Sequence, residues 1–318
     1  MRIAIWHVHG SWLTGFLQGP DDYLIPVLPD RGPDGLGRAR TWDWPAAARE
    51  VTPEQLREEG CDVVVLQRPS EIDLFQDWTG LRPGTDVPAV YVEHNTPVAH
   101  PVASRHHLAD RSDIPVVHVT AFNALVWDSG RSPVRVIEHG IPDPGPLYTG
   151  EVERIAAVVN EPVRRWRVAG TDVLLDVAGH VPVSVYGMGM DALAQHEPSR
   201  GWQLHEDVPQ EQLHPRLARH RAYLHPYRWT SLGLSLIEAM TVGMPVLALA
   251  TTAAPEAVPR EAGVVSADPA VLTATARRWL ADPDEARERG AAARKHARQQ
   301  FGLDRFLTEW QHLLKEVA

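Results

Sequence analysis

One cysteine, two lysines, no long apolar run and no excess of positive charge mark this 318-residue chain. Cys61 has no second cysteine to pair with, which excludes a disulfide-built scaffold, and the apolar run DVVVLQ just after it reads it as a reduced core thiol. Lys295 and Lys315 are the lysines; every other cationic side chain is arginine, and 41 Asp+Glu against 31 Lys+Arg leave a net charge of -10. Binding a nucleic-acid backbone needs the opposite sign. The opening MRIAIWHVHG breaks its apolar run at His7, and no later stretch approaches the ~20 residues that cross a bilayer, so a cytoplasmic location is expected. The dinucleotide fingerprint G-x-G-x-x-G is also absent.

What is present is an ordinary globular composition, 44% hydrophobic and 23% charged, in a chain long enough for two cores. Short β-branched runs alternate with amphipathic stretches: RIAIWHV, YLIPVL, DVVVLQ, PAVYVEH, IPVVHV and VRVIEHG. Thr52-Pro-Glu-Gln55 carries an N-cap, a proline at the first helical position and a capping-box glutamine, and Thr120 caps AFNALVW. The Pro/Gly-rich segment HGIPDPGPLYTGEVE interrupts the rhythm, which restarts with RIAAVV, VPVSVYG, GWQLHED, RAYLHP, PVLALA and GVVSA. The pattern predicts an α/β chain of two doubly wound parallel-sheet domains, 1–147 and 148–300, with a C-terminal helix over 301–318 that packs back on the first. Ligands are expected at the carboxyl ends of the strands, in a cleft between the domains. Residues 1–147 hold 12 Lys+Arg and 20 Asp+Glu, a net -8, whereas 148–318 hold 19 and 21, a net -2. The second half is thus the better host for an anion.

The stretch YRWTSLGLSLIEAMTVGMPVLAL, residues 227–249, concentrates the chemistry. AYLHP reads as a strand, YRWTSLG as a loop, LSLIEAMTV as a helix stopped by Gly243, and PVLALA as the next strand. The helix N-terminus therefore arrives at the carboxyl end of a sheet with free amides, and Gly233 permits close approach to Leu234: a phosphate seat. Glu238 shares a face with Leu234 and Ser231 and has no basic neighbour one turn away. A buried carboxylate requires donors. A vicinal diol supplies two, so phosphate at the helix tip and ribose at Glu238 fit one nucleotide.

HPYRWTSLGLSLIEAMTVGMPVLAL resembles the nucleotide-sugar signature of glycosyltransferase family four, a GT-B family whose loop and helix carry E-x7-E, glycine and EAMAxGxPV. VIEHGIPD is similar to its linker motif VIPNGVD, ATTAAPEAV to its GGxPEVV turn, and LADPDEARERGAAARKHARQQFGLDRF to its closing helices. The resemblance implies two Rossmann-like domains, a nucleotide-diphosphate sugar held mainly by the second, and an acceptor held by the first. It implies that Glu238 binds ribose and that the Gly233 and Leu234 amides underlie the diphosphate. Thr230 stands where the family's first Glu binds the sugar, a departure that puts sugar choice or activity in question. The family's diphosphate-neutralising Arg and Lys are out of pattern in VVNEPVRRWRVAGTD, where Asn160 and Ala169 stand near their places. Arg164, Arg165, Arg167 and, beside the helix tip, Arg228 are the candidates, Arg165 foremost.

In the first half, His94 in VYVEHNTP matches the family's histidine near the reacting sugar, and Gly10, Ser11 and Trp12 in HVHGSWLTG match its loop touching acceptor and phosphate. Trp12, Trp42 and Trp44 are candidates to stack on an acceptor ring. The resemblance further implies retention of configuration, no cofactor beyond the nucleotide-sugar co-substrate and no obligatory metal; the one D-x-D, Asp282 to Asp284, reads as a helix start. The acidic first half points to a soluble small-molecule acceptor rather than a membrane surface. Two other classes fit the residues: a catalytically impaired nucleotide-sugar-binding partner protein, and a nucleotide-sugar epimerase of the same architecture.

Overall fold

The computed structural model describes residues 1–198 and 201–318, in two compact units: 1–140 with 303–318, and 141–302. The first unit contains seven strands, β1 (Arg2–Ile5), β2 (Asp22–Pro26), β3 (Ala48–Val51), β4 (Val63–Leu66), β5 (Ala89–Glu93), β6 (Val116–His118) and β7 (Val134–Val136), in the order β3-β2-β1-β4-β5-β6-β7. Every pairing is parallel. β4 reads VVVL and is buried throughout, as a parallel strand covered on both faces must be. β3, Ala-Arg-Glu-Val, is not visible as a strand in the sequence. Its two polar residues occupy half-buried middle positions, so only the register with β2 marks it.

The second unit contains β8 (Val152–Val158), β9 (Val183–Gly187), β10 (Gln203–Glu206), β11 (His220–His225), β12 (Val246–Leu249) and β13 (Gly263–Ser266), all parallel, in the order β10-β9-β8-β11-β12-β13. Both sheets thus have the doubly wound order 3-2-1-4-5-6, with a seventh strand appended in the first. The chain reverses direction across each sheet between its first and fourth strands, β1|β4 and β8|β11. Loops leaving those strands at their carboxyl ends diverge and leave a crevice. One core packs Trp6, Leu24, Val64, Leu66 and Phe75; the other packs Ile155, Leu174, Leu224, Leu247 and Trp279.

Local signals are realised as read. Thr52 and Gln55 form a reciprocal capping box, and the Thr120 hydroxyl accepts from the Asn123 amide. The Asp282 carboxylate accepts from the amides of Asp284 and Glu285, so D-x-D here caps a helix. Cys61 is half-buried, and burial pushes its thiol up to about 11, which leaves it unreactive. The C-terminal helix Leu303–Val317 belongs to the first unit, where Trp310 meets Trp12 and Phe16 edge-on at 5.7 and 5.1 Å. No helix of the described residues is long and apolar enough to cross a membrane.

Candidate functional site

The switch point of the second sheet is the focus. β11 ends at His225, residues 226–233 form a loop, and the helix Leu234–Val242 begins. The loop is pinned from both sides. Arg228 and Trp229 donate their amides to the Val168 carbonyl at 3.0 and 3.4 Å, the Thr251 hydroxyl donates to the Tyr227 carbonyl at 2.8 Å, and the Ala253 amide donates to the Ser231 carbonyl at 3.3 Å. Gly233 rests on the ring of His225, so close that a Cβ there would stand 2.3 Å from the ring's Cε1. Desolvation pushes His225 down to about 3, so a neutral imidazole stacked on Tyr227 at 4.9 Å floors the helix tip. With amides above and a neutral ring below, the positive end of the helix is chemically suited to an anion.

Glu238 lies one turn into that helix and is 7% exposed. What it faces is the helix Gln210–Leu217. Gln210 Nε2 donates to Glu238 Oε1 at 3.1 Å and stands 2.9 Å from His214 Nε2, while His214 Nε2 is 3.6 Å from Glu238 Oε2. Gln210 and His214 were not legible as functional residues. The available signal was their i, i+4 spacing in QEQLHPRL, but which helix that face meets is a tertiary matter.

The arginine candidates separate by partner. Arg164 is bound to Glu161, and both Arg167 and Arg228 are bound to Asp172, Arg228 through both guanidinium nitrogens. All three are engaged in ion pairs in this structure, with the Arg164 and Arg167 side chains still largely exposed. Arg165 makes no ion pair among the described residues; its guanidinium lies 5.7 Å above the Tyr227 ring. Asn160 joins the same cluster, its amide donating to the Tyr227 hydroxyl at 3.4 Å and its side-chain oxygen accepting from the Met188 amide at 3.0 Å. Thr230 and Leu234 are half-buried at the loop end, Ser231 is buried, and the Thr230 hydroxyl makes no hydrogen bond among the described residues.

In the first unit His94 follows β5 and is 8% exposed. Gln67 donates its side-chain nitrogen to the Trp6 carbonyl at 2.8 Å, which turns its oxygen toward His94 Nε2, 3.1 Å away. That oxygen only accepts, so the His94 proton sits on Nε2. Burial, with His9 and His139 nearby, holds His94 well below the ordinary imidazole range, and the His9 ring lies 4.1 Å from it. Gly10 and Ser11 open the helix Gly10–Phe16, and Trp42 lies against Gly10, where a Cβ would meet its ring at 2.2 Å. Trp42 is half-buried and stays partly exposed. Trp12 and Trp44 do not: they are 2% and 3% exposed, Trp12 inside the Phe16/Phe306/Trp310 cluster and Trp44 with its Nε1 donating to Thr14 at 2.9 Å. They are core residues, correcting their assignment as stacking surfaces, because an indole face covered by protein presents nothing to a ring. Among the described residues no three His, Cys, Asp or Glu side chains are grouped to hold a metal ion.

Two doubly wound parallel sheets, the second with a glycine-floored helix tip at its switch point, define a fold of the GT-B type. Residues 172–296, which include the Glu238 helix, match the family model described as "Glycosyl transferases group 1". Among solved structures, a sucrose-phosphate synthase from Thermosynechococcus elongatus is similar over 99% of this chain and 98% of its own, with a TM-score of 0.71 and 18% identity. Anabaena Alr3699/HepE, solved in complex with UDP, is similar over 99% and 100%, with a TM-score of 0.69 and 14% identity. A glycosyltransferase from Rickettsia africae ESF-5 is similar over 99% and 98%, with a TM-score of 0.68 and 12% identity. At such identities these likenesses establish the fold. No curated protein matches the chain in sequence.

Proposed function

We propose that the protein is a glycosyltransferase that takes a sugar from a nucleotide-diphosphate donor seated on residues 141–302 and delivers it to a soluble small-molecule acceptor held by the first unit. The observation that carries the reading is Glu238, a buried carboxylate one turn behind a helix tip whose amides are approached over glycine. The group 1 match over 172–296 supports it, as do the Alr3699/HepE structures with UDP and with UDP-glucose. In this reading Glu238 accepts the ribose hydroxyls, and the Gly233 and Leu234 amides with Arg165 stabilise the leaving diphosphate. Asn160 and Ser231 complete the donor seat, Thr230 meets the sugar, and Gly10, Ser11 and Trp42 meet the acceptor. His94, neutral and buried, lies on the acceptor side, where the acceptor hydroxyl or amine attacks the anomeric carbon. Retention of configuration and independence of metal belong to the same proposal, as does a cytoplasmic location.

Uridine or guanosine diphosphate is expected to raise the melting temperature of the wild type, and Glu238→Ala to abolish most of that rise. A ligand at 100 times its Kd stabilises by about 2.7 kcal/mol, a shift of several degrees for a domain of this size. Unchanged melting of the wild type with every nucleotide and nucleotide sugar would remove the donor-site reading.

Thr230 favours a second reading, a nucleotide-sugar-binding protein without transferase activity, because a hydroxyl lacks the charge and reach of a carboxylate. Thr230→Glu is expected to change donor choice or rate while leaving the melting temperature within a degree or two, since the site is half-buried loop. Identical donor selectivity and kinetics in the variant would take Thr230 out of the sugar pocket; absence of donor turnover in the wild type with any acceptor, despite nucleotide binding, would favour the second reading.

A further inference from the structure

We propose that Gln210 and His214 are positioning residues that hold the Glu238 carboxylate in the orientation that accepts a ribose diol, without neutralising it. This rests on the donor-site reading and deepens it by assigning the device that aims the carboxylate.

The assignment follows from which atoms can donate. A carboxylate only accepts, so the atom of Gln210 lying 3.1 Å from Glu238 Oε1 is the amide nitrogen. That nitrogen carries two hydrogens, and its second neighbour is His214 Nε2 at 2.9 Å. His214 Nε2 must therefore accept, which places the ring's proton on Nδ1 and leaves the ring neutral. Rotating the amide by half a turn would set its oxygen against the carboxylate. The carboxylate thus selects the amide nitrogen, and His214, accepting that nitrogen's second hydrogen, holds the amide in line with Glu238.

The choice of groups matters for ligand recognition. An arginine or lysine here would orient Glu238 but also satisfy its charge and occupy both oxygens. A neutral amide occupies one. Glu238 Oε2 accepts no hydrogen bond from any described residue, and His214 Nε2, 3.6 Å away, offers it no proton. A carboxylate with an oxygen that no described residue donates to, held at a set angle by the neighbouring helix, is preorganised for hydroxyl donors.

Two measurements decide the matter. In the wild type near pH 7.5, 15N-labelled histidine spectra, with the His214 resonances identified by their loss in His214→Phe, are expected to show the Nδ1–H tautomer; an Nε2–H tautomer or a doubly protonated ring overturns this arrangement. Titration calorimetry with uridine diphosphate and its 2′,3′-dideoxy analogue, or with the guanosine pair if only those bind, is expected to show the wild type preferring the diol by about tenfold, the worth of one charge-assisted hydrogen bond. Gln210→Leu should lose most of that preference while binding the dideoxy compound as the wild type does. A Gln210→Leu protein that keeps the full preference, or weakens both ligands equally, overturns the positioning role while the donor site stands. A wild type that binds none of these nucleotides overturns the donor reading itself, and this proposal with it. Should Gln210→Leu fail to fold, the wild-type tautomer decides.

Discussion

Between pH 6.5 and pH 5 the protein is expected to lose stability progressively, by up to about 1.4 kcal/mol per pH unit for each histidine that folding keeps neutral. Three histidines carry this. His94, His118 and His225 are all at least nine-tenths buried, and desolvation lowers each, His118 to about 4 and His225 to about 3. In the unfolded chain all three titrate near 6.5. A histidine lowered on folding leaves the native state binding fewer protons than the unfolded one. Its stabilisation is therefore complete above pH 6.5 and lost as pH falls below that value, at up to about 1.4 kcal/mol per pH unit for each group. The half-buried His9, lowered to about 4, acts in the same sense, and the exposed His107, also lowered to about 4, adds less. Carboxylates held low by arginine, such as Asp86 at about 2 beside Arg82, add to the loss from about pH 5 downward. Urea midpoints should be level from pH 7.5 to about 6.5 and then fall toward pH 5 with a slope of about three to four protons; a flat profile down to pH 5 would show these rings to be protonated in the native state.

Gly170→Ala is expected to cost ~3 kcal/mol or more and to abolish nucleotide binding. Gly170 has φ +70, and a Cβ there would stand 1.7 Å from the Pro226 carbonyl oxygen. Backbone meets backbone, so no rotamer relieves the clash. Pro226 begins the loop that ends at Gly233, and displacing it moves the whole of the proposed phosphate seat. Gly80→Ala is the control: it is also left-handed, with φ +78 and ψ 2, but nothing lies within 4 Å of the added carbon, so only the left-handed penalty of about 1 kcal/mol applies. Equal costs for the two variants in chemical denaturation would mean that the close approach to Pro226 is not what Gly170 provides.

Much of the second unit is legible in the residues. All six of its strands, the helix Leu234–Val242 and its stop at Gly243, with φ +98, follow from short apolar runs and glycine placement. The isolation of Glu238 in an apolar helix is a local fact, visible because i±3 and i±4 neighbours can be counted. Its partners are not local: Gln210 and His214 lie 28 and 24 residues away on a helix whose facing surface no periodicity names. The arginines show the same limit. Arg164, Arg165, Arg167 and Arg228 look equivalent in sequence, and Asp172, 56 residues before Arg228, separates them by pairing with two of the four.

The tryptophans mark the division most plainly. An indole in a Gly-containing loop is compatible with a stacking surface or a packing anchor, and Trp12 became an anchor because Phe306 and Trp310, near the far end of the chain, fold onto it. By itself the sequence determined the class of fold, the caps, the helix tip and the lone carboxylate, since each depends on backbone geometry and hydrophobic period within a few residues. Only the tertiary structure decided which cations are already paired, which aromatics are covered and what holds Glu238. Those outcomes depend on contacts between elements far apart in the chain, where burial makes a missing partner costly and so dictates which side chains meet.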